Sequence, residues 1–230
     1  MKVSIIIPAY NESETILILL KRILRLSIQK IQKEIIVVND GSTDDTLEKI
    51  VEFSRNKKNI IIINKKKNAG KGFAIKVGLE KASGDILLIQ DADLEYDASN
   101  IPYLIKKMIS AHTQILYGSR RLNKKNEYSS LPYFLGGVLI NTIIALIVRR
   151  NLTDSISGTK LFTRNVYNKI KPITSKGFEI DVEITAKAIK KGFDVQEVPI
   201  TYFPRTHNQG KKIRWFHSFR IILTLIRYSF

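Results

Sequence analysis

The chain has 230 residues, 44% of them hydrophobic, and its 38 Lys and Arg against 21 Asp and Glu give a net charge of +17. This length and apolar content suffice for one sizeable core, and no Pro/Gly/Ser-rich linker or internal repeat divides the sequence, so we expect a single domain over residues 1–230. The absence of cysteine excludes disulfides and thiolate metal sites, whereas the positive charge favours anionic partners such as nucleic acid, acidic lipid or phosphorylated substrates.

The first half of the chain alternates short apolar runs with segments of helical periodicity. The pattern predicts strands at 3–7, 34–38, 60–63 and 86–90, with helices at 14–26, 43–54 and 71–82 between them. Strands that are apolar on both faces, such as EIIVV and NIIII, indicate a parallel sheet with helices on each side. This order predicts an α/β fold, a Rossmann-like sandwich that binds ligands at the carboxyl ends of its strands.

The second half is less regular. It predicts a strand near 114–118, a basic loop from Arg120, an apolar helix over 133–148, a strand near 159–163, a helix over 179–190, a strand over 194–198 and a final helix over 213–228. The apolar run that ends at Val148 is shorter than the roughly 20 residues of a membrane span, so we expect a buried or interface-lying helix. In the final helix, we expect the apolar face with Phe219 and Leu223 to pack on the core, and a lipid-facing arrangement is the alternative.

Four polar segments follow the strands of the first half, namely PAYNE, NDGSTDD, NAGKG and DADLEYD. In the last of these, Asp91, Asp93 and Glu95 are spaced so that they point to one side of an extended chain. Carboxylates so close repel one another, and a hard cation such as Mg²⁺ or Mn²⁺ relieves the repulsion while it binds phosphate oxygens. The segment therefore predicts a metal site with a diphosphate ligand, and we expect Asp97 to start a helix near Ser99. An exposed acidic turn is the structural alternative.

The other three segments have the chemistry of a nucleotide site. Asp40, at the end of a strand, can accept a hydrogen bond from the ring N–H of uracil or guanine. Tyr10 and Glu12 can flank base and ribose after a turn that Pro8 fixes. Lys71 in NAGKG can face phosphate, since the glycines around it allow a close backbone approach. The sequence has neither the P-loop pattern nor a G-x-G-x-x-G after the first strand, which counts against a dinucleotide cofactor.

Taken in this order, the motifs resemble glycosyltransferase family 2, whose members use nucleotide-diphosphate sugars. DADLEYD, GSRR, DSISGTKLFTR, GFEIDVEITAKAIKKGFDVQEVPITYFPRT and GKKIRW look like the dolichol-phosphate mannosyltransferase-like branch. The resemblance implies the GT-A fold with a mostly parallel central sheet, a nucleotide-sugar-binding half over 1–118 and an acceptor-binding half over 119–230. It also implies inverting transfer of a sugar from a donor of the GDP-mannose or UDP-glucose type to a polyprenyl phosphate.

For the donor side, the resemblance implies a nucleoside site and a metal site. The residues that would hold the nucleoside are Pro8, Tyr10, Glu12 and Asp40. Asp91 and Asp93 would be the aspartates of the D-x-D motif, and Glu95 stands where some relatives carry Gln as a metal ligand. The cofactor that this arrangement implies is a divalent metal, Mg²⁺ or Mn²⁺.

For the acceptor side, the resemblance implies cations that bind phosphate. Arg120 in GSRR, and Arg205 with Lys211 in PRTHNQGKK, would bind the acceptor phosphate or the diphosphate. The two arginines would carry catalysis together with Asp93. A phosphate monoester is already ionised near neutral pH, so the reaction would need no general base.

A sugar hydroxyl is the alternative acceptor, as in the synthesis of surface polysaccharide or glycolipid. Asp181 or Glu179 in GFEIDVEI would then be the candidate base, although acids at this place otherwise start a helix at its positive end. Two departures from the family pattern matter. The loop NEYSSLPYFLGG lacks an acceptor-binding arginine that some mannosyltransferase relatives have. Lys211 stands where processive synthases carry the Gln of Q-x-x-R-W, which argues against polymerisation.

The expected partners are a nucleotide-sugar donor, a polyprenyl phosphate and a membrane surface. Nucleic acid is not expected, because RNP, KH and zinc-finger signatures are absent from the sequence and a carboxylate cluster repels a phosphate backbone. The first strand begins almost at Met1 and leaves no room for a signal peptide, so we expect a cytoplasmic protein at the inner face of the membrane. The sugar, the base, the choice of metal, the lipid length and the oligomeric state stay open.

Overall fold

The computed structural model describes residues 1–28, 30–128, 130–205 and 217–229. The strands within these ranges are β1 (Lys2–Ala9), β2 (Gln32–Asp40), β3 (Ile60–Lys65), β4 (Ile86–Ile89), β5 (Ile115–Ser119), β6 (Lys160–Thr163) and β7 (Gln196–Pro199). The helices are α1 (Ile16–Arg25), α2 (Thr46–Ser54), α3 (Lys71–Lys81), α4 (Asn100–Ser110), α5 (Leu131–Val148), α6 (Arg164–Ile170), α7 (Ile180–Lys190) and α8 (His217–Ser229).

Most element boundaries agree with the sequence-based predictions to within a turn of helix or two residues of strand. The helix that begins next to Ser99 is α4, and Asp97 accepts a hydrogen bond from the backbone N–H of Ser99 at 3.0 Å, as expected of a helix-start residue. Helix α6 was not predicted, because its short segment RNVYNKI carries too few apolar residues to show a helical period. The first four residues of the predicted final helix lie outside the described ranges.

The described strands form one seven-stranded sheet in the order β3-β2-β1-β4-β6-β5-β7. All neighbours pair in parallel except β6, which runs antiparallel to both β4 and β5. The α/β class and the mostly parallel sheet are therefore confirmed. The insertion of β6 brings the segment just before it, residues 151–159, to the carboxyl end of β4.

Two hydrophobic layers cover the sheet, one on each face. Side chains alternate along a strand, so Ile5 and Ile7 of β1 face α1 and α4, whereas Ile6 faces α3 on the other side. Strand β4 likewise directs Leu88 into the first layer and Leu87 into the second. Burial on both faces explains the run of consecutive apolar residues in each of these strands, Ile5 to Ile7 in β1 and Ile86 to Ile89 in β4.

Helices α5 and α8 lie together on the face that α7 also covers, and both keep apolar side chains in solvent. Helix α8 buries Ile221 and Leu225, whereas Phe219, Leu223 and Ile226 are exposed. The expectation that the face with Phe219 and Leu223 packs on the core is therefore wrong, because α8 uses a different face to contact α5 and α7. Among the helices of the described ranges, none is long and apolar enough to cross a membrane.

A buried carboxylate joins the amino ends of the central strands, opposite the edge where the polar loops lie. Glu34 of β2 is only 6% exposed and accepts hydrogen bonds from Lys2 Nζ at 2.7 Å, from Ser4 Oγ, and from Ser83 N at 2.9 Å. Burial by itself raises the pKa of Glu34, but the hydrogen bonds from Lys2, Ser4 and Ser83 lower it to about 2. The ionised carboxylate therefore stabilises the sheet at neutral pH.

We predict that Glu34→Gln lowers the free energy of unfolding at pH 7 by about 2 kcal/mol, the contribution of hydrogen bonds to a charged group. The folded-state pKa lies below the unfolded value of 4.5, so this contribution is present above pH 4.5 and disappears as the pH falls toward 2. Urea unfolding at pH 7 and pH 3 measures the difference, with the exposed Glu14→Gln as the control. An equal effect of Glu34→Gln at both pH values would contradict the prediction.

Candidate functional site

The four polar loops predicted to converge do meet at the carboxyl edge of the sheet. Asn11, after β1, exchanges hydrogen bonds with Ser42 and Thr43, after β2. Pro8 lies inside β1, opposite Val38, and not in the turn that follows. The loop before α3 contacts Asp40 at the end of β2 through its backbone, and Lys71, the first residue of α3, contacts Asp91 after β4.

Asp40 is buried and holds the loop that leads into α3. Its Oδ1 accepts a hydrogen bond from the backbone N–H of Ala69 at 3.0 Å, and its Oδ2 accepts one from Gly70 at 2.8 Å. Gly70 has a φ of 102°, and a Cβ there would meet the carbonyl oxygen of Lys176 at 2.4 Å, so only glycine fits. The structure therefore gives Asp40 a role in fixing the loop, and its contact with a nucleotide base stays a prediction.

Lys71 and Asp91 form a partly buried ion pair at the centre of this edge. The Nζ of Lys71 lies 2.7 Å from Oδ1 and 2.8 Å from Oδ2 of Asp91. Burial alone lowers the pKa of Lys71, but the charges of Asp91 and Asp181 raise it above its usual value, so the ammonium stays protonated. Although Asp91 Oδ1 is close to this ammonium, no donor among the described residues is aligned to hydrogen-bond this buried atom.

Asp93 lies in a negatively charged environment that the carboxylates of Asp91 and Glu95 create. Burial, and then the charges of Asp91 and Glu95, raise the pKa of Asp93 to about 7, while Arg205 opposes the shift. The Oδ1 of Asp93 accepts the backbone N–H of Glu95 at 3.1 Å. The Oε1 of Glu95 in turn accepts the backbone N–H of Arg205 at 2.6 Å. A further positive charge beside Asp93 would therefore favour the ionised form of its carboxyl group.

Asp91 and Asp93 fit a hard divalent cation. A buried Asp91 oxygen without an aligned donor, beside an Asp93 whose pKa is raised by neighbouring carboxylates, is the environment that Mg²⁺ or Mn²⁺ stabilises with oxygen ligands. Within the described ranges, no group of three or more His, Asp or Glu side chains is arranged to hold a metal. Glu95 as a third ligand therefore stays a prediction, since its carboxylate is directed to Arg205.

Gly158, which the sequence did not identify as a site residue, packs directly on the Asp91 carboxylate. A Cβ at this position would lie 2.1 Å from Asp91 Oδ2 and 2.9 Å from the ring of Tyr96. The N–H of Gly158 donates to the Tyr96 hydroxyl at 2.8 Å, which fixes the approach. The signal in the sequence is the glycine of DSISGTK just before a strand, but its partner depends on the antiparallel insertion of β6.

A second buried ion pair lies behind the first and was also missed. Lys160 is completely buried, and its Nζ donates to Asp181 Oδ1 at 2.8 Å and to the carbonyl of Ser157. Burial lowers the pKa of Lys160 and outweighs the opposing effect of Asp181. The predicted helix start is confirmed, because Asp181 lies in the first turn of α7, and Glu179 Oε1 accepts the N–H of Gly177 at 3.0 Å just before it.

The cations predicted for the acceptor side are held by carboxylates. Arg120 donates through Nε and Nη2 to both oxygens of the buried Asp154, each at 2.7 Å, and lies over the rings of Tyr96 and Tyr202. Arg205 pairs with Glu12, with Nη2 3.0 Å from Oε2. The roles of both arginines toward phosphate stay predictions, as do those of Pro8, Tyr10 and Glu12 toward the nucleoside. Lys211 lies outside the described residues.

Comparison with known proteins gives a consistent result. The family profile described as Glycosyl transferase family 2 matches residues 4–171. The chain is 35% identical over 216 residues to a dolichol-phosphate mannosyltransferase from Pyrococcus furiosus, covering 92% of the chain and 59% of that protein. It is 30% identical over 210 residues to a dolichyl-phosphate beta-glucosyltransferase from Trichomonas vaginalis, covering 86% of the chain and 65% of that protein. The chain thus spans less than two thirds of the length of these relatives.

The fold also matches solved structures. A glucosyl-3-phosphoglycerate synthase from Mycobacterium tuberculosis, crystallised with Mn²⁺, UDP-glucose and phosphoglyceric acid, superposes with a TM-score of 0.78 at 18% identity. The match covers 99% of this chain and 79% of that one. Because the structural neighbours have the GT-A fold, the expected fold is confirmed.

We predict that Gly158→Ala weakens Mn²⁺ binding roughly tenfold, because the added methyl group displaces the Asp91 carboxylate, and such a displacement costs about one hydrogen bond to a charged group. Isothermal titration with Mn²⁺ measures the affinity. Gly136→Ala is the matched control, since a Cβ added there meets no described atom within 4 Å apart from its chain neighbours and the backbone of its own helix. Unchanged Mn²⁺ affinity in folded Gly158→Ala would show that the close packing on Asp91 is irrelevant to metal binding.

Proposed function

Because the chain belongs to glycosyl transferase family 2, we propose that it transfers a sugar from a nucleotide-diphosphate sugar to the phosphate of a polyprenyl phosphate, with inversion at the anomeric carbon. In this proposal residues 1–118 bind the donor and residues 119–230 bind the acceptor. The observation that carries it is the partly buried cluster of Asp91, Asp93 and Lys71 at the carboxyl edge of a GT-A sheet, where a metal and a diphosphate would meet. The two relatives named for sugar transfer to dolichyl phosphate support the choice of acceptor.

On the donor side, this chain's residues would position a charged diphosphate. Asp91 and Asp93 would hold Mg²⁺ or Mn²⁺, which when bound stabilises the negative charge of the leaving diphosphate. Lys71 is kept protonated and fixed by Asp91, so it supplies a second positive charge at the same place. Asp40 fixes the loop that carries Lys71, and its carboxylate would also meet the nucleotide base.

The base-reading site extends along the end of β1. Tyr10 and Glu12 would contact base and ribose, with Pro8 in the last part of the strand before them. Both uracil and guanine present a ring N–H to a carboxylate at Asp40, so donors of the UDP-glucose and GDP-mannose types fit this site equally. The structural neighbour crystallised with UDP-glucose supports a nucleotide-sugar donor in general.

On the acceptor side, two arginines would hold an anion that needs no activation. A phosphate monoester is ionised near neutral pH, so catalysis reduces to alignment of two anionic reactants and stabilisation of the leaving group. The backbone N–H of Arg205 donates to Glu95, and the charge of Arg205 acts on Asp93, whereas Arg120 lies over the ring of Tyr202. They would offset the repulsion between the acceptor phosphate and the diphosphate.

A sugar hydroxyl acceptor is the less supported alternative. Its candidate bases are engaged elsewhere, since Asp181 holds the buried ammonium of Lys160 and Glu179 accepts the backbone N–H of Gly177. A proton taken up by Asp181 would leave Lys160 charged and buried without a partner, which is costly. The ion pair therefore favours the mechanism without a general base.

The apolar outer surface of α5 and α8 supports a lipid as the acceptor. Both helices expose apolar side chains to solvent, among them Leu135 and Leu139 of α5 and Phe219 of α8. Such a surface with nearby basic residues favours contact with a membrane interface, on the cytoplasmic face where nucleotide sugars are made available. Nucleic acid is a poor partner for this chain, because the carboxylates at the ligand edge repel a phosphate backbone in the absence of metal.

We predict that one nucleoside diphosphate, GDP or UDP, raises the melting temperature by roughly 5 to 10 °C at about 100 times its Kd, and only with Mn²⁺ present. Asp91→Asn and Asp93→Asn should each abolish this shift, because they remove metal-binding charge. The exposed Asp194→Asn should keep it. A failure of every nucleotide to stabilise the wild-type chain would sink the proposed donor site.

We predict that Glu179→Gln retains transfer to a polyprenyl phosphate to within about threefold, because the reaction needs no general base. Asp181→Asn leaves Lys160 without its carboxylate, so the appropriate test of Asp181 is the double variant Lys160→Met/Asp181→Leu, checked first for folding by thermal unfolding. Radiolabelled sugar transfer into the lipid fraction measures the activity. Loss of all transfer in folded variants that still bind the nucleotide would overturn the base-free mechanism and favour a hydroxyl acceptor.

A further inference from the structure

Three arginines line an open cavity of about 540 Å³ that runs along the second half of α5 and the segment after it. Arg149 and Arg150 follow the last residue of the helix, and Arg121 reaches the cavity from the segment after β5. Asn141 and Leu146 of α5 form part of the same wall. We call this cavity the arginine pocket. None of its arginines was assigned a role by the sequence or by the proposed reaction.

The arginines of the arginine pocket form no direct ion pair with a carboxylate of the described residues. Of the ion pairs found among the described residues, none involves Arg121, Arg149 or Arg150. The contrast with the neighbouring Arg120 is sharp, since that side chain binds both oxygens of Asp154. Burial lowers the pKa of Arg121; the charge of Asp154 opposes this shift and the charge of Arg120 adds to it, so a further anion nearby favours the charged guanidinium.

The negative end of the α5 dipole explains only part of this charge. A helix C-terminus carries roughly half a negative charge and favours one nearby cation within its last turn. Arg149 and Arg150 are in that position, but Arg121 belongs to a different segment and lies with its guanidinium over the ring of Phe134, near the start of the helix. The dipole therefore bears on Arg149 and Arg150 but does not account for Arg121.

An exposed apolar stripe runs along α5 into the arginine pocket. Its leucines are Leu131, Leu135, Leu139 and Leu146, and each is more than half exposed. At about 100° per residue they fall within an arc of about 80°, and the stripe is about 22 Å long. Leu146, 72% exposed, is both the end of the stripe and part of the pocket wall. Helix α8, which contacts α5, adds a second exposed stripe with Phe219, Leu223 and Ile226.

We propose that the arginine pocket binds the phosphate of an anionic phospholipid headgroup, with the leucine stripe of α5 in contact with the acyl region beside it. The inference rests on the membrane contact in the proposed function, but not on sugar transfer. Guanidinium groups bind phosphate through paired N–H donors and keep their charge at any physiological pH, and phosphate next to hydrocarbon is the chemistry of a lipid surface. A headgroup matches both halves of this surface, the cations and the leucines, whereas a soluble phosphate matches only the cations.

Co-sedimentation with vesicles tests the proposal directly. Vesicles of phosphatidylcholine with about 30% phosphatidylglycerol should bind the chain, and Arg149→Gln/Arg150→Gln should weaken that binding about 10- to 30-fold, as expected for two basic residues at an anionic surface. The matched control is Arg22→Gln/Arg25→Gln, which removes the same charge from the exposed last turn of α1. It should weaken binding less than about threefold, because it changes only the long-range attraction.

Further variants and competition experiments identify the source of the phosphate. Arg149→Lys/Arg150→Lys should retain most of the binding, and thermal unfolding should show that all variants are folded. Equal losses in the pocket variant and the α1 control would overturn the proposal in favour of general charge attraction. Competition by millimolar inorganic phosphate would instead indicate a soluble ligand. Recruitment by neutral vesicles that contain only a polyprenyl phosphate, if it depends on Arg149 and Arg150, would assign the pocket to the acceptor. None of these experiments measures sugar transfer. A negative result in vesicle binding therefore leaves the thermal-shift test of nucleotide binding unaffected.

Discussion

The ion pair between Lys71 and Asp91 is the interaction on which the candidate site depends, because it sets the charge balance of a buried edge. Asp91 keeps Lys71 protonated. The charge of Asp181, which is paired with Lys160, also raises the pKa of Lys71. Carboxylates and ammonium groups thus alternate from the sheet edge into the interior. Asp93 stands at the outer end of this series with a raised pKa, so the protein leaves one place where an additional cation lowers the free energy.

Close packing of the second half against the first fixes these charges. Gly158 brings the segment before β6 against Asp91, and Gly70 and Gly72 bring α3 against the backbone of residues 175–177. Glu183, buried in α7, accepts the backbone N–H groups of Thr174 and Ser175 and so fixes that loop. A side chain even as short as a methyl group at these glycines would clash with the facing segment, so the close packing of the loops at the sheet edge against residues 158 and 175–177 requires glycine.

The sheet and its polar edge could be predicted because they follow from local patterns. Apolar runs predict the strands, and residues such as Asp40 and Asp91 directly follow them in the sequence. Because the carboxyl ends of parallel strands meet at one edge, these residues are predicted to lie there together. The pairs of Asp91 with Gly158 and of Asp181 with Lys160 join distant segments through the antiparallel β6, and no local period encodes them. The exposed face of α8 was mispredicted for a related reason, since its sequence has apolar residues on two faces and only tertiary packing selects Ile221 and Leu225.

Arg120 and Arg205, the two arginines of the proposed acceptor site, differ in how freely they can change partners. Arg120 is bound through two short hydrogen bonds to a completely buried Asp154, and loss of that pair would leave an isolated buried charge at a cost of about 3 to 5 kcal/mol. A phosphate would therefore bind the outer edge of Arg120 without displacing Asp154. Arg205 makes a longer pair with Glu12, at 3.0 and 3.4 Å, and its backbone is held separately by Glu95. Its guanidinium can thus exchange Glu12 for a phosphate while the segment stays in place, so the proposed acceptor site combines a fixed cation with an exchangeable one.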